Sequence, residues 1–169
     1  MDTNLYRKVE GMLYGHYRRK KRIDTLKSRL IRIENRIKRL RDDIKECNVE
    51  LSDTLKAIDY SREYIQSGDV TSNIEKELEI VIDKMLKEIE INIKEKYKLK
   101  NKIMHLEKQT ENIENLLQEF NEEELKIIEL RYKEGLSYRQ MEAKLFMART
   151  SINNKKNKII LHLIEEIDQ

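Results

Sequence analysis

The sequence predicts an all-α protein: a long antiparallel coiled-coil hairpin followed by a C-terminal helix-turn-helix domain. Three observations point there. The 169 residues include no Pro and only four Gly, so little in the chain interrupts a long helix. Charged residues make up 40%, enough to coat the wet faces of extended helices, whereas aromatic residues make up 6% and leave little to line a pocket. Apolar residues also recur in alternating steps of three and four, the pattern of a coiled-coil seam. This composition excludes most enzyme classes. No nucleophile, base and orienting group are recognisable by spacing, so the chain reads as a non-enzyme without a cofactor.

The elements follow in order. Leu5, Val9, Met12 and Leu13 form an apolar stripe, read as a short helix over Thr3–Tyr14 that ends near Gly15 or runs on into the next element; residues 1–17 are set apart on this basis. The first arm carries Ile23, Leu26, Leu30, Ile33, Ile37, Leu40, Ile44, Cys47 and Leu51, continued by Leu55 and Ile58. Ser67-Gly68-Asp69 favours a turn, placed at 67–72, and Ser72 with Glu75 forms a capping box. The second arm runs from Leu78 through Ile89, Leu99, Ile103 and Ile113 to Phe120, so the hairpin is assigned to residues 18–120. Two equal arms joined by a short turn should pair residues whose numbers add to about 139. That register sets the basic root, Arg18–Arg32, beside Glu107, Glu111, Glu114 and Glu119. It also sets Asn92 near Cys47 and brings Lys96 to Asp43, and it leaves Lys94 to Lys102 facing Arg36 to Arg41 as an unmatched positive collar.

Net charge is only +3, but its distribution is uneven. Arg18–Lys45 holds 13 basic and 4 acidic residues, Glu46–Glu134 holds 14 and 22, and Gly135–Lys158 holds 6 and 1. The last block is a candidate nucleic-acid surface. A single cysteine, Cys47, excludes an internal disulfide. His16, His105 and His162 are far apart and no Cys/His pair has ligand spacing, so the sequence assigns no metal. With no apolar run of about 18 residues and no signal-peptide pattern, a soluble, cytoplasmic protein without membrane contact is expected.

Residues 121–169 carry the functional pattern. Asn121 and Glu124 make a capping box, Leu125, Ile128, Leu130 and Tyr132 a short amphipathic helix, and Gly135 its stop. Ser137 and Gln140 open another helix bearing Met141 and Leu145; after an interruption at Phe146, Met147 and Ala148, a basic helix starts near Arg149 with Ile152, Ile159, Ile160 and Leu163 inward. This is the helix-turn-helix order. Ile152 facing in turns Arg149, Thr150, Asn153, Asn154 and Asn157 outward near the helix start, where Asn can bond adenine and Arg guanine in the major groove. Lys144, Lys155, Lys156 and Lys158 are candidate phosphate contacts, joined by Ser137, Tyr138 and Arg139 at the preceding helix N-terminus. The tail, Leu163, Ile164 and Ile167, is expected to pack on the helix before the motif or on a second copy.

The run Leu130-Arg131-Tyr132-Lys133-Glu134-Gly135-Leu136-Ser137-Tyr138-Arg139-Gln140-Met141 resembles the opening of region four of sigma-70-type sigma factors, and Arg149-Thr150-Ser151-Ile152 with Lys155-Lys156 and Ile159-Ile160 resembles its recognition helix. Together with Leu5-Tyr6-Arg7-Lys8-Val9-Glu10, Met12-Leu13-Tyr14 and the long helices, the chain is similar to the small sigma-factor-like regulators of phages and prophages, the RinA and ArpU group. The resemblance implies a transcription regulator that contacts promoter DNA and has RNA polymerase as a partner. Two positions depart from the pattern: Phe146 stands where the turn usually has glycine, and Glu142 where a small residue is usual. They favour a second class, a coiled-coil adaptor whose C-terminal unit binds protein. Phage DNA packaging, in the manner of small terminase subunits, is a further DNA-binding alternative. The heptads also allow pairing between chains, as in a homodimer.

Overall fold

The structure, a computed structural model, describes residues 3–49 and 73–167, and among these it is all-helical. Five helices follow in order: α1 (Thr3–Lys45), α2 (Asn73–Leu117), α3 (Glu122–Ile128), α4 (Tyr138–Leu145) and α5 (Arg149–Ile167). α3 continues into a π-helical turn over Glu129–Lys133. The chain divides into two compact units, Met1–Lys27 with Lys102–Gln169, and Ser28–Asn101.

α1 is unbroken through Gly11 and Gly15, so the short N-terminal helix is the first part of the long one. A helical glycine costs about 1 kcal/mol relative to alanine. Val9, Leu13 and Tyr17, all buried, line one face and offset that cost. The other end differs from expectation. α1 stops at Lys45 and Cys47 takes a left-handed conformation (φ 48°), so the first arm does not run as one helix to residue 66. The turn expected at 67–72, the Ser72–Glu75 cap and the seam positions Leu51, Leu55 and Ile58 lie outside the described residues.

In the smaller unit α1 and α2 run antiparallel, with Ile33, Ile37, Leu40, Ile89 and Leu99 buried. The register built on equal arms fails here. Lys96 reaches Glu34 (2.9 Å) instead of Asp43, with Lys100 on the same carboxylate at 3.8 Å. Arg36 pairs with Glu88 (2.8 Å), Arg29 with Glu95, and Lys94 with Glu90 (2.5 Å). The expected positive collar is therefore matched by carboxylates at Lys94, Lys96, Lys100 and Arg36. The arms in the larger unit are charge-matched as expected, Lys20 to Glu114 (2.9 Å) and Lys27 to Glu107 (2.6 Å).

Two apolar clusters build the larger unit. One joins Val9, Leu13 and Tyr17 of α1 to Ile113 and Leu117 of α2, Ile128 and Tyr132, and Ile159, Ile160 and Leu163 of α5, with Ile164 and Ile167 of the tail against it. The second joins Ile127 and Leu130 to Met141 and Ile152, packing α3 and its π-helical turn against α4 and α5. Each fully buried side chain of this size contributes about 1.5–3 kcal/mol. The π-helical turn, with the Glu134 N–H bonded to Glu129 O at 3.0 Å, places Leu130 in one cluster and Tyr132 in the other. The tail thus packs within its own chain.

His16 is 1% exposed and its Nδ1 has no hydrogen-bond partner. Its ring stands edge-on to Tyr17 (5.0 Å), beside a cleft of about 700 Å³ that Lys20, Glu114 and Glu129 also line. Burial first, then the Lys20 ammonium, hold the imidazole below its ordinary value of 6.5, with Glu114 opposing. Below pH 6.5 the unfolded chain takes up a proton that the folded chain resists, so stability should fall as the pH drops from 7 to 5. Denaturant midpoints compared with those of His16→Gln check this. The substitution should flatten the profile, and an equally steep one would assign the loss to carboxylates.

Candidate nucleic-acid interface

The local sequence explains the geometry of the motif. Asn121 Oδ1 accepts from the Glu124 N–H (3.0 Å) and Glu124 answers at the Asn121 N–H (3.2 Å), which starts α3 where expected. Gly135 ends that helical stretch in the left-handed region (φ 71°). Arg131 then fastens the turn, donating to Leu136 O (2.9 Å) with its guanidinium 5.0 Å from the centre of the Tyr138 ring. At the α4 start, the Ser137 N–H and hydroxyl both donate to Gln140 Oε1 at 2.9 Å. α4 and α5 meet through the left-handed turn at Phe146 (φ 53°, ψ 37°).

Phe146 is 94% exposed, so no burial offsets its backbone strain. A non-glycine residue in this region costs about 1–2 kcal/mol, and glycine returns about 0.5–1 kcal/mol to the unfolded state. Phe146→Gly should therefore raise stability by up to about 1.5 kcal/mol, read as a higher melting temperature. A lower one would show that the ring makes a stabilising contact.

The candidate base-reading residues separate into two groups. Arg149, Thr150 and Asn154 are exposed, and with Lys158 the last two form a stripe along α5 at successive turns. Asn153 is half-buried. Asn157 is half-buried and its Oδ1 accepts from the Tyr6 hydroxyl at 2.7 Å, which holds it against α1.

Among the candidate phosphate contacts, Ser137, Arg139, Lys144 and Lys158 are exposed, and Tyr138 and Lys155 half-buried. Several cations have carboxylate partners: Lys144 with Glu134 (2.7 Å), Lys155 with Glu123 (2.6 Å) and Arg149 with Glu142 (2.8 Å). Such surface pairs contribute about 0–1 kcal/mol, so a phosphate can displace them at little cost.

Lys156 corrects the sequence reading. It is 6% exposed and faces inward, because the helical period puts it on the side of Ile152 and Ile159. Its ammonium lies 3.1 Å from Glu10 Oε1, 5.1 Å from the centre of the Tyr6 ring and 5.7 Å from that of Tyr138. Burial pulls the ammonium toward neutrality, but Tyr138, Tyr6 and Glu10 outweigh this and raise its proton affinity. The Tyr132 hydroxyl also donates to Glu10 Oε1 (2.9 Å), and burial followed by that carboxylate keeps the phenol neutral. Glu10, Tyr6 and Tyr132 thus hold α5, a role that sequence reasoning missed. The signal was slight: Tyr6 and Glu10 stand one turn apart beside the Val9–Leu13 stripe.

Comparison of the chain with protein-family models, with curated proteins and with solved structures returned no match.

Proposed function

We propose that the chain binds duplex DNA through α5 and acts as a transcription regulator of the sigma-factor-like kind that its C-terminal segment resembles. The observation that carries this reading is the exposed Thr150, Asn154 and Lys158 stripe, with Arg149 at the helix start, presented by the second helix of a helix-turn-helix. Asn and Arg are the side chains that read adenine and guanine edges, and Arg139, Lys144 and Lys158 flank them for the backbone. RNA polymerase is the protein partner this reading carries with it. Ile31, Ile80, Leu86, Ile91 and Tyr97, each more than half exposed, favour a protein contact through the smaller unit, with a partner or with a second copy.

A second reading, an adaptor whose C-terminal unit binds protein, draws on the bare Phe146 ring and on the carboxylates beside Lys144, Arg149 and Lys155. DNA packaging shares the duplex-binding step with the first reading. Binding by the full chain to a genomic fragment enriched by that same chain separates the readings. Asn154→Ala and Arg149→Ala should each weaken it by about 1–3 kcal/mol, and Asn154→Ala should leave affinity for random duplex nearly unchanged. If no fragment is enriched, or neither substitution matters, the adaptor reading gains.

A further inference from the structure

The three histidines are distant in sequence, yet the fold brings one of them between two carboxylates. One donor atom each from Glu119, His162 and Glu166 lies within 4.8 Å of the others. Glu119 follows the end of α2, and His162 and Glu166 are one turn apart on α5, so two separate segments converge. We propose that these residues form a binding site for a divalent ion of the zinc class that staples the end of α2 to α5.

Ligand chemistry and spacing support the assignment. Zinc is bound by imidazole nitrogen and carboxylate oxygen at about 2.0–2.2 Å in tetrahedral geometry, which puts neighbouring donors about 3.4 Å apart. His162 Nε2 and Glu119 Oε2 are 3.1 Å apart, already near that edge length. Rotation of the Glu166 side chain supplies the third ligand, and water the fourth. The Phe120 ring meets the imidazole edge-on (5.3 Å, 89°) and fixes its plane before an ion arrives. A hollow of about 290 Å³, lined also by Glu124 and Lys158, gives access. The Lys158 ammonium on its rim opposes a cation, and the two ligand carboxylates outweigh it.

The ion takes the Nε2 lone pair of the neutral imidazole, whose ring proton then sits on Nδ1, and the two carboxylates balance the 2+ charge. The closed loop runs from Glu119 to His162 and contains α3, α4 and the first part of α5, so the ion would stabilise the helix-turn-helix directly.

Calorimetric titration of the EDTA-treated full chain with ZnCl₂ tests the site, together with melting curves. One ion per chain is expected, with a higher melting temperature. His162→Ala and, as a milder surface variant, Glu166→Gln should each weaken binding more than about tenfold. Cys47→Ser and His105→Ala should leave it unchanged, and MgCl₂ should bind far more weakly, because imidazole is a poor ligand for a hard cation. Absence of zinc binding, binding that survives both ligand substitutions, or binding abolished by Cys47→Ser would overturn the proposal.

Discussion

Glu10→Ala should destabilise the chain by about 3 kcal/mol or more, although Glu10 lies far in sequence from every helix of the C-terminal motif. The substitution leaves the Lys156 ammonium, 6% exposed, without its carboxylate and removes the acceptor of the Tyr132 hydroxyl. Breaking one side of a buried pair strands a charge, which costs more than the pair contributes. Lys156→Met should be milder, about 1.5 kcal/mol or less, because it removes the charge and keeps an apolar stem between Tyr6 and Tyr138. Urea denaturation of both variants checks the order. Equal costs, or a cost for Glu10→Ala near zero, would mean that water solvates the ammonium. The raised proton affinity of Lys156 makes its contribution constant below its ordinary value of 10.5, so the effect should not vary across neutral pH.

That pair also marks where sequence reading stops. Helix ends set by local chemistry were legible: the caps at Asn121–Glu124 and Ser137–Gln140, the stop at Gly135 and the break at Phe146 all stand where the residues put them. So were the inward positions Met141, Ile152, Ile159, Ile160 and Leu163, because helical period fixes them. What failed depended on distant partners. Lys156 was read by its charge, and only the docking of Tyr6 and Glu10 explains why a lysine sits on the buried side. The Lys96 partner depends on the register of two helices, which no local motif marks. The π-helical turn at Glu129–Lys133 left no signal, since one widened turn hardly disturbs the apolar pattern. The convergence of Glu119 with His162 and Glu166 is likewise invisible in the sequence, because 43 residues separate Glu119 from His162.

The correction at Lys156 changes the expected electrostatics of DNA binding. With that lysine withdrawn, the candidate phosphate cations are Arg139, Lys144, Lys155 and Lys158. Each phosphate neutralised releases counterions, so log affinity falls with log salt with a slope of about −0.9 per contact, or about −3.6 for four. Affinity for duplex DNA should then drop about a hundredfold between 50 and 200 mM salt. Lys144→Ala with Lys158→Ala should flatten the slope by about 2. Their acidic neighbours do not alter this expectation, because exposed pairs yield to phosphate at little cost.

Duplex affinity of the full chain, measured across that salt range with and without the Lys144 and Lys158 substitutions, tests DNA binding most directly. A slope of about −3.6 that flattens to about −1.8 in the double variant is the predicted result. Affinity that is insensitive to salt, or a steep slope that the two substitutions leave unchanged, would contradict it.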